Sequence, residues 1–319
     1  MSEQNQLVVK VTSPYDLHNI KKIGQIWKNI RFDFDPNLKQ CDAWVVIDGP
    51  HTIKKLKINC PPGNTILVSR EPPDLRKLSW DFMNQFAVVV ATGSRVSHPN
   101  QIFSQFGQVW HINKNYEELA LSVYPPKKTK LISAITSNKK ETIGHRKRYN
   151  ALVRLKEYFG DSLDWYGRGI NYVHDKWDAI APYKYHLAFE NGQWPHYWTE
   201  KLTDAYLAWS MPIYVGAPNI FEYFDPESLI VIDPEDAETA IVKIERAFKE
   251  DAWSKALPAI ARSRKKILNE FHFFAVLYDI IVNLPVKPRR SITIRLNLEN
   301  PIKGWLRRFR SLTRKMLSR

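Results

Sequence analysis

Cysteine is scarce in this chain: Cys41 and Cys60 are the only two among 319 residues. That excludes a disulfide framework, favours a reducing compartment, and leaves too few ligands for a structural zinc. Both thiols read as packing residues. Long apolar runs are also lacking. No stretch of about 18 apolar residues exists, so no segment reads as a membrane-spanning helix. The opening MSEQNQLVVKVTSP has no basic start followed by an apolar core, and so does not read as a secretory leader. The twelve glycines form no G-x-G-x-x-G fingerprint behind a strand, so no dinucleotide site is expected in the first half. Internal repeats are absent.

The 44% hydrophobic content is enough to build packed cores, and the length fits two domains of ordinary size. The formal charge of +14 alone suggests nucleic acid or an anionic membrane as partner. Its distribution narrows this. Residues 286–319 carry eleven Lys or Arg against one acid, Glu299, while the other 285 residues carry only +4. No nucleic-acid-binding module is recognisable, so a basic nucleic-acid-binding protein is the weaker alternative. In the tail, Ile302, Trp305, Leu306, Phe309, Leu312, Met316 and Leu317 recur at helical spacing among Lys303, Arg307, Arg308, Arg310, Arg314 and Lys315. One apolar and one cationic face describe a helix lying in an anionic membrane interface.

Leu7 to Val11, Ala43 to Ile47, Thr65 to Ser69 and Phe86 to Ala91 are unbroken apolar runs, as expected of parallel strands covered on both faces. Ile20 to Ile30 reads as a helix. The first 125 residues therefore read as a Rossmann-like domain. Tyr124-Pro125-Pro126-Lys127-Lys128 marks a boundary, and Leu131 to Ile135 opens a second α/β pattern over 126–285. There Arg146 to Phe159 is helical, Leu163 to Gly169 is a strand with a glycine turn, and Leu229 to Ile232 is a strand. Ala237 to Phe248 and most of Trp253 to Leu284 are helical.

The chemistry concentrates in Tyr183 to Asp233. His186 to Phe189 is a short buried strand running into Glu190-Asn191-Gly192. Ligands bind at that carboxyl edge of an open α/β sheet. Thr199 is a credible N-cap for a helix on which Leu202, Ala205, Tyr206 and Trp209 share a face. Met211 to Val215 is the next strand. A helix start suits phosphate, Lys201 adds a full charge, and Glu200 can accept from two vicinal ribose hydroxyls. Tyr197 offers a ring for a base.

This stretch closely resembles the C-terminal motif of the α-1,3/4-fucosyltransferases, family ten of the glycosyltransferases. The resemblance rests on Tyr183-Lys184-Tyr185, Phe189-Glu190-Asn191, Tyr197, Thr199-Glu200-Lys201-Leu202, Asp204-Ala205, Pro212-Ile213-Tyr214, Gly216-Ala217-Pro218-Asn219 and Tyr223. It implies an α/β chain with two Rossmann-like domains facing a cleft, the GT-B fold, followed here by the basic amphipathic tail. It also implies inverting, metal-independent transfer of L-fucose from GDP-fucose to N-acetylglucosamine or glucose in a glycan acceptor. No cofactor is implied. Donor-binding residues carried over are Arg146 or Arg148, Asn191, Tyr197, Thr199, Glu200 and Lys201. Arginine suits diphosphate because its planar fork pairs phosphate oxygens bidentately; spacing leaves both arginines open. Glu71, at the carboxyl edge of the first sheet, corresponds to the proposed general base. Glu190 would contact the fucose ring or stabilise its positive charge. Asp33-Phe34-Asp35 spells the metal-holding pattern of A-type glycosyltransferases but lies in the wrong half, so no metal is expected. His174 and His186 read as packing or solvent-facing residues, and His196 is a possible donor contact. His186, in place of a smaller polar residue, and Trp194-Pro195-His196 depart from the family and keep another nucleotide sugar open. The expected setting is the cytoplasmic face of a bacterial membrane, held there by the tail and acting on a glycan or lipid-linked glycan.

Overall fold

The structure, a computed structural model, describes residues 6–14, 16–48, 55–71, 78–136, 143–285 and 287–295. Its strands are β1 (Leu7–Thr12), β2 (Ile26–Trp27), β3 (Ile30–Asp33), β4 (Ala43–Ile47), β5 (Lys55–Cys60), β6 (Thr65–Ser69), β7 (Val88–Ala91), β8 (Gln101–Phe103), β9 (Lys130–Ile135), β10 (Leu163–Tyr166), β11 (Tyr183–Phe189), β12 (Met211–Val215), β13 (Ile230–Val231) and β14 (Arg290–Arg295). The α-helices are α1 (His18–Lys21), α2 (Trp80–Met83), α3 (Tyr116–Leu121), α4 (Ile143–Phe159), α5 (Glu200–Leu207), α6 (Ala237–Lys249), α7 (Ala252–Lys266) and α8 (Phe273–Ile281).

Two open sheets result. The first runs β2-β3-β1-β4-β6-β7-β8 and the second β10-β9-β11-β12-β13. Every neighbouring pair is parallel except β2 with β3. The apolar runs explain this, because β4, β6 and β12 are buried at every residue and only strands covered on both faces tolerate such continuity. The period of two then divides the first sheet's side chains between two cores. Val45, Ile47, Ile66, Val68 and Val90 join the large core that continues into the second sheet. Trp44, Val46, Leu67, Val89 and Ala91 face the other way.

That second face is covered partly by a ribbon in which β14 pairs antiparallel with β5. Ile58 and Ile294 are inserted there, 3% and 0% exposed. This corrects the expected boundary at 286. Residues 290–295 are not a detached tail but a strand alternating Ile292 and Ile294 with polar residues, and Arg289 pairs with Asp42 at 2.7 Å. The amphipathic segment from Ile302 to Leu317 lies outside the described residues. A second correction concerns 20–30. Only α1 is helical there; Gly24 and Lys28 sit at φ +108 and +53, and Ile30 and Phe32 alternate inward as a strand.

The two sheet units are fastened together. In α8, Phe274 stacks on Phe32 of the first sheet with centroids 4.2 Å apart, and the ring of His272 meets Trp27 edge-on at 4.1 Å. Residues 108–111 run along α5. Gln108 Nε2 donates to the Trp198 carbonyl at 2.7 Å and Thr203 Oγ1 to the Val109 carbonyl at 3.0 Å. The Asp204 carboxylate accepts the His111 N–H at 2.7 Å. Gly107 allows this passage: at φ +85, a Cβ there would stand 2.7 Å from the Phe273 Cα.

Candidate functional site

The site forms where β11 ends. Its last residues deliver Glu190 and Asn191 to the sheet's carboxyl edge, beside the start of α5. Thr199 caps that helix in extended backbone, its hydroxyl accepting the Lys201 N–H at 3.5 Å. The same threonine holds Glu190. Its N–H donates to Oε1 and its hydroxyl to Oε2, both at 2.7 Å. Lys201 Nζ lies 2.9 Å from Thr199 Oγ1, 3.1 Å from Glu200 Oε1 and 3.2 Å from Glu190 Oε2. A cation thus sits between two carboxylates, of which Glu190 is wholly buried.

The charges adjust accordingly. Burial would lower Lys201, but Glu190 and then Glu200 outweigh it and hold its ammonium well above the ordinary lysine range. Burial pushes Glu190 up, against the pull of Lys201 and the two Thr199 bonds. Burial pushes Glu200 up too, but Lys201, His111 and Lys176 more than reverse it, leaving an anion well below the usual carboxylate range. Ionised Glu200 is therefore an acceptor at the helix start. Glu190 differs from expectation: both of its oxygens hold Thr199 and Lys201 instead of facing open space. Tyr197 also differs, being 3% exposed, so its ring presents no open face to a base.

A cavity of 260 Å³ opens next to this cluster. Its walls include Gly144, Arg148, Glu190, Asn191 and Trp194. The structure separates the two candidate arginines. Arg146 is exposed, whereas Arg148 is buried in the cavity wall, its Nη1 donating to Asn191 Oδ1 at 2.6 Å. Its Nε has no hydrogen-bond partner among the described residues. Burial lowers the guanidinium, with Glu190 pulling the other way. Helix α4 reaches the cavity because Gly144 lies flush against β11's end. A Cβ there would fall 1.8 Å from the Asn191 carbonyl oxygen.

Glu71 follows β6 on the first sheet's carboxyl edge. Burial, then Asp48, pushes its carboxyl up; Arg70 and Lys201 pull it down. Lys201 and Glu200 of the second unit also act on its charge. The cleft is also bridged where the Gly93 N–H donates to the Pro195 carbonyl at 2.9 Å. His196 is occupied within that bridge: its Nδ1 lies 2.5 Å from the Tyr223 hydroxyl and its ring packs edge-on against Phe103. His186 is a packed residue, 2.8 Å from Ser133 Oγ, and burial lowers it to about 3. His174 is exposed. Asp33 pairs with Arg31 at 2.5 Å, and no group of three His, Cys, Asp or Glu able to hold a metal exists among the described residues.

Sequence reasoning passed over His111 and Lys176, and gave Asp204 no role beyond its place in the motif. Asp204 is 1% exposed, accepts from Lys176 Nζ at 3.1 Å, and ties α5 to the first unit. Its available signal was a carboxylate on a helix otherwise buried. His111 and Lys176 had none, because they meet Glu200 only through the tertiary fold.

Residues 125–249 match the glycosyltransferase family 10 (fucosyltransferase) C-term family. The chain is 37% identical over 82 residues, 26% of its length, to alpha-(1,3)-fucosyltransferase FucT of Helicobacter pylori, of which the match covers 17%. It is 29% identical over 232 residues, 69% of its length, to 4-galactosyl-N-acetylglucosaminide 3-alpha-L-fucosyltransferase 9 of Homo sapiens, covering 58% of that protein. Both matches span less than two thirds of the relative. A crystal structure of an alpha1,3-fucosyltransferase with GDP-fucose superposes with a TM-score of 0.51 at 16% identity, covering 90% of this chain and 94% of that one. The fold is that of the GT-B glycosyltransferases, and residues 125–249 are similar to the C-terminal domain of glycosyltransferase family 10.

Proposed function

From that similarity we propose that the chain is a glycosyltransferase that moves L-fucose from GDP-fucose to a hydroxyl of a glycan, with N-acetylglucosamine or glucose as the accepting sugar. The observation that carries this is Arg148. A buried guanidinium with an unused Nε, in the wall of a 260 Å³ cavity beside a helix start, calls for an anionic ligand. A diphosphate fits that demand. Lys201 adds positive charge at the same helix start, and anionic Glu200 would accept from ribose hydroxyls.

The reaction is an inverting displacement without a metal. The acceptor oxygen attacks the anomeric carbon as the bond to the diphosphate oxygen breaks. GDP leaves with the bonding pair and Glu71 takes the acceptor's proton. Burial raises the Glu71 carboxyl above its ordinary range, which makes the carboxylate a stronger base. Arg148 and Lys201 supply the charge stabilisation that a metal gives leaving diphosphates elsewhere. Residues 1–125 would take the acceptor and 126–285 the donor. Trp194 in the cavity wall favours one variant of this reading, a different nucleotide sugar in the same site.

The chain would act at the cytoplasmic face of a bacterial membrane. The ribbon supports this reading, since Lys55 stands opposite Arg295 and Lys57 opposite Thr293 on its exposed face, from which residues 296–319 continue. Like charges facing each other across a ribbon are unfavourable without an anion nearby.

Thermal melts with GDP, GDP-fucose, GDP-mannose and UDP test the donor. GDP and GDP-fucose should stabilise the chain by mass action, and Arg148→Ala should remove most of that effect. Stabilisation by UDP but not GDP overturns the guanine assignment. Activity that EDTA abolishes and magnesium or manganese restores overturns the metal-free mechanism.

A further inference from the structure

The turn that presents Glu71 is held by a residue outside the donor site. Asp48 follows β4 directly and is fully buried, 0% exposed. It adopts φ +53, a left-handed conformation uncommon for residues other than glycine. Its N–H donates to the Val68 carbonyl of neighbouring β6 at 2.8 Å. Its two carboxylate oxygens reach past the end of the same strand. Oδ1 accepts the Arg70 backbone N–H at 2.7 Å, and Oδ2 accepts Arg70 Nε at 3.0 Å. One side chain therefore grips both the backbone and the guanidinium of the residue preceding Glu71. A buried carboxylate is expensive to desolvate, and a strained turn adds to that. Neutralising Arg70, whose side chain is 23% exposed, does not require either.

We propose that Asp48 is a positioning residue for Glu71: it fixes the Arg70–Glu71 turn at the cleft, and the Asp48–Arg70 pair sets the charge balance under which Glu71 works. This rests on reading Glu71 as the general base. The groups whose charges act on Glu71 are Asp48 just after β4, Arg70 from its own turn, and Lys201, Glu200 and Tyr197 from the second unit. Asp48 and Arg70 act on the Glu71 carboxyl in opposite directions. Deleting either one unbalances the pair, and the two deletions move Glu71 opposite ways.

The test uses the full chain, with GDP release from GDP-fucose and a soluble acceptor followed across the acidic and neutral pH range. Asp48→Asn removes the anion that raises Glu71 and keeps Arg70, which lowers it. The acid limb of kcat/KM should move to lower pH, kcat should fall roughly tenfold or more from misplacement, and the stabilisation by GDP should stay as in wild type. Arg70→Gln keeps the backbone bond and leaves Asp48 uncompensated, so its acid limb should move to higher pH. It also keeps the proposal testable if Asp48→Asn fails to fold. Opposed shifts are not produced by general damage to the fold. Limbs that stay in place or move together, while Glu71→Gln abolishes turnover, overturn the role of Asp48 and spare the base. Near-normal turnover of Glu71→Gln overturns the base itself, and the positioning role with it.

Discussion

Replacing Lys201 by Ala should destabilise the fold as well as weaken donor binding. Lys201 is the cation for Glu190, whose side chain is 0% exposed, and for Glu200, 21% exposed. Removing one partner of a buried pair leaves an uncompensated charge and costs about 3–5 kcal/mol. The two Thr199 bonds to Glu190 remain, so about 3 kcal/mol is expected, or roughly a 6–12 °C fall in melting temperature for a chain of this class. The loss should depend on pH. Without Lys201, burial raises the Glu190 carboxyl further, so the native state binds a proton more readily than the unfolded chain. Stability then falls as pH rises through the folded value, and the deficit against wild type is larger at alkaline than at mildly acidic pH. Pairing the change with Glu190→Gln removes the stranded charge and should recover most of the stability. GDP affinity should remain about tenfold or more weaker in both variants. Denaturant melts at two pH values, with and without GDP, read all of this. Equal stability of wild type and Lys201→Ala, or no recovery in the double variant, refutes the coupling argued here.

Gly144→Ala drives a Cβ into the Asn191 carbonyl and should displace α4, lowering GDP affinity at least about tenfold; unchanged binding would show that Arg148 does not depend on that contact. Ending the chain after Arg295 should abolish binding to vesicles of anionic lipid while leaving the melting temperature unchanged, and persistent binding refutes the tail as anchor. Ending it after Leu284 should also remove Ile292 and Ile294 from the second core, at about 3 kcal/mol or more, read as a lowered melting temperature. Lys128 Nζ donates to the Ala181 and Ala208 carbonyls, and burial, then Arg264, lowers it to about 7. The unfolded chain holds that proton to higher pH, so stability should rise as pH climbs above about 7, by up to roughly 1.4 kcal/mol per unit, and Lys128→Met should flatten the slope.

Local pattern made much of the scaffold legible. The apolar runs at Ala43 to Ile47, Thr65 to Ser69 and Met211 to Val215 are strands buried at every residue, short and rich in β-branched side chains as covered parallel strands are. Thr199 was readable as an N-cap because capping involves residues two or three apart. The same locality singled out the 183–233 stretch, whose strand end and helix start lie together in the fold. Only the tertiary structure decided the rest. Arg146 and Arg148 are equivalent in sequence, and the choice falls to Arg148 because Gly144 lets α4 meet Asn191 with that face inward. Glu190 looked free to meet a sugar, but its oxygens are held by Thr199 and Lys201 once the strand end and the helix start converge. The β5–β14 ribbon joins residues more than two hundred positions apart, and such pairing leaves no local trace beyond the alternation of Ile292 and Ile294. Asp48 reads as the start of the turn that stops a strand, and its grip on Arg70 exists only because β4 and β6 are neighbours in the sheet.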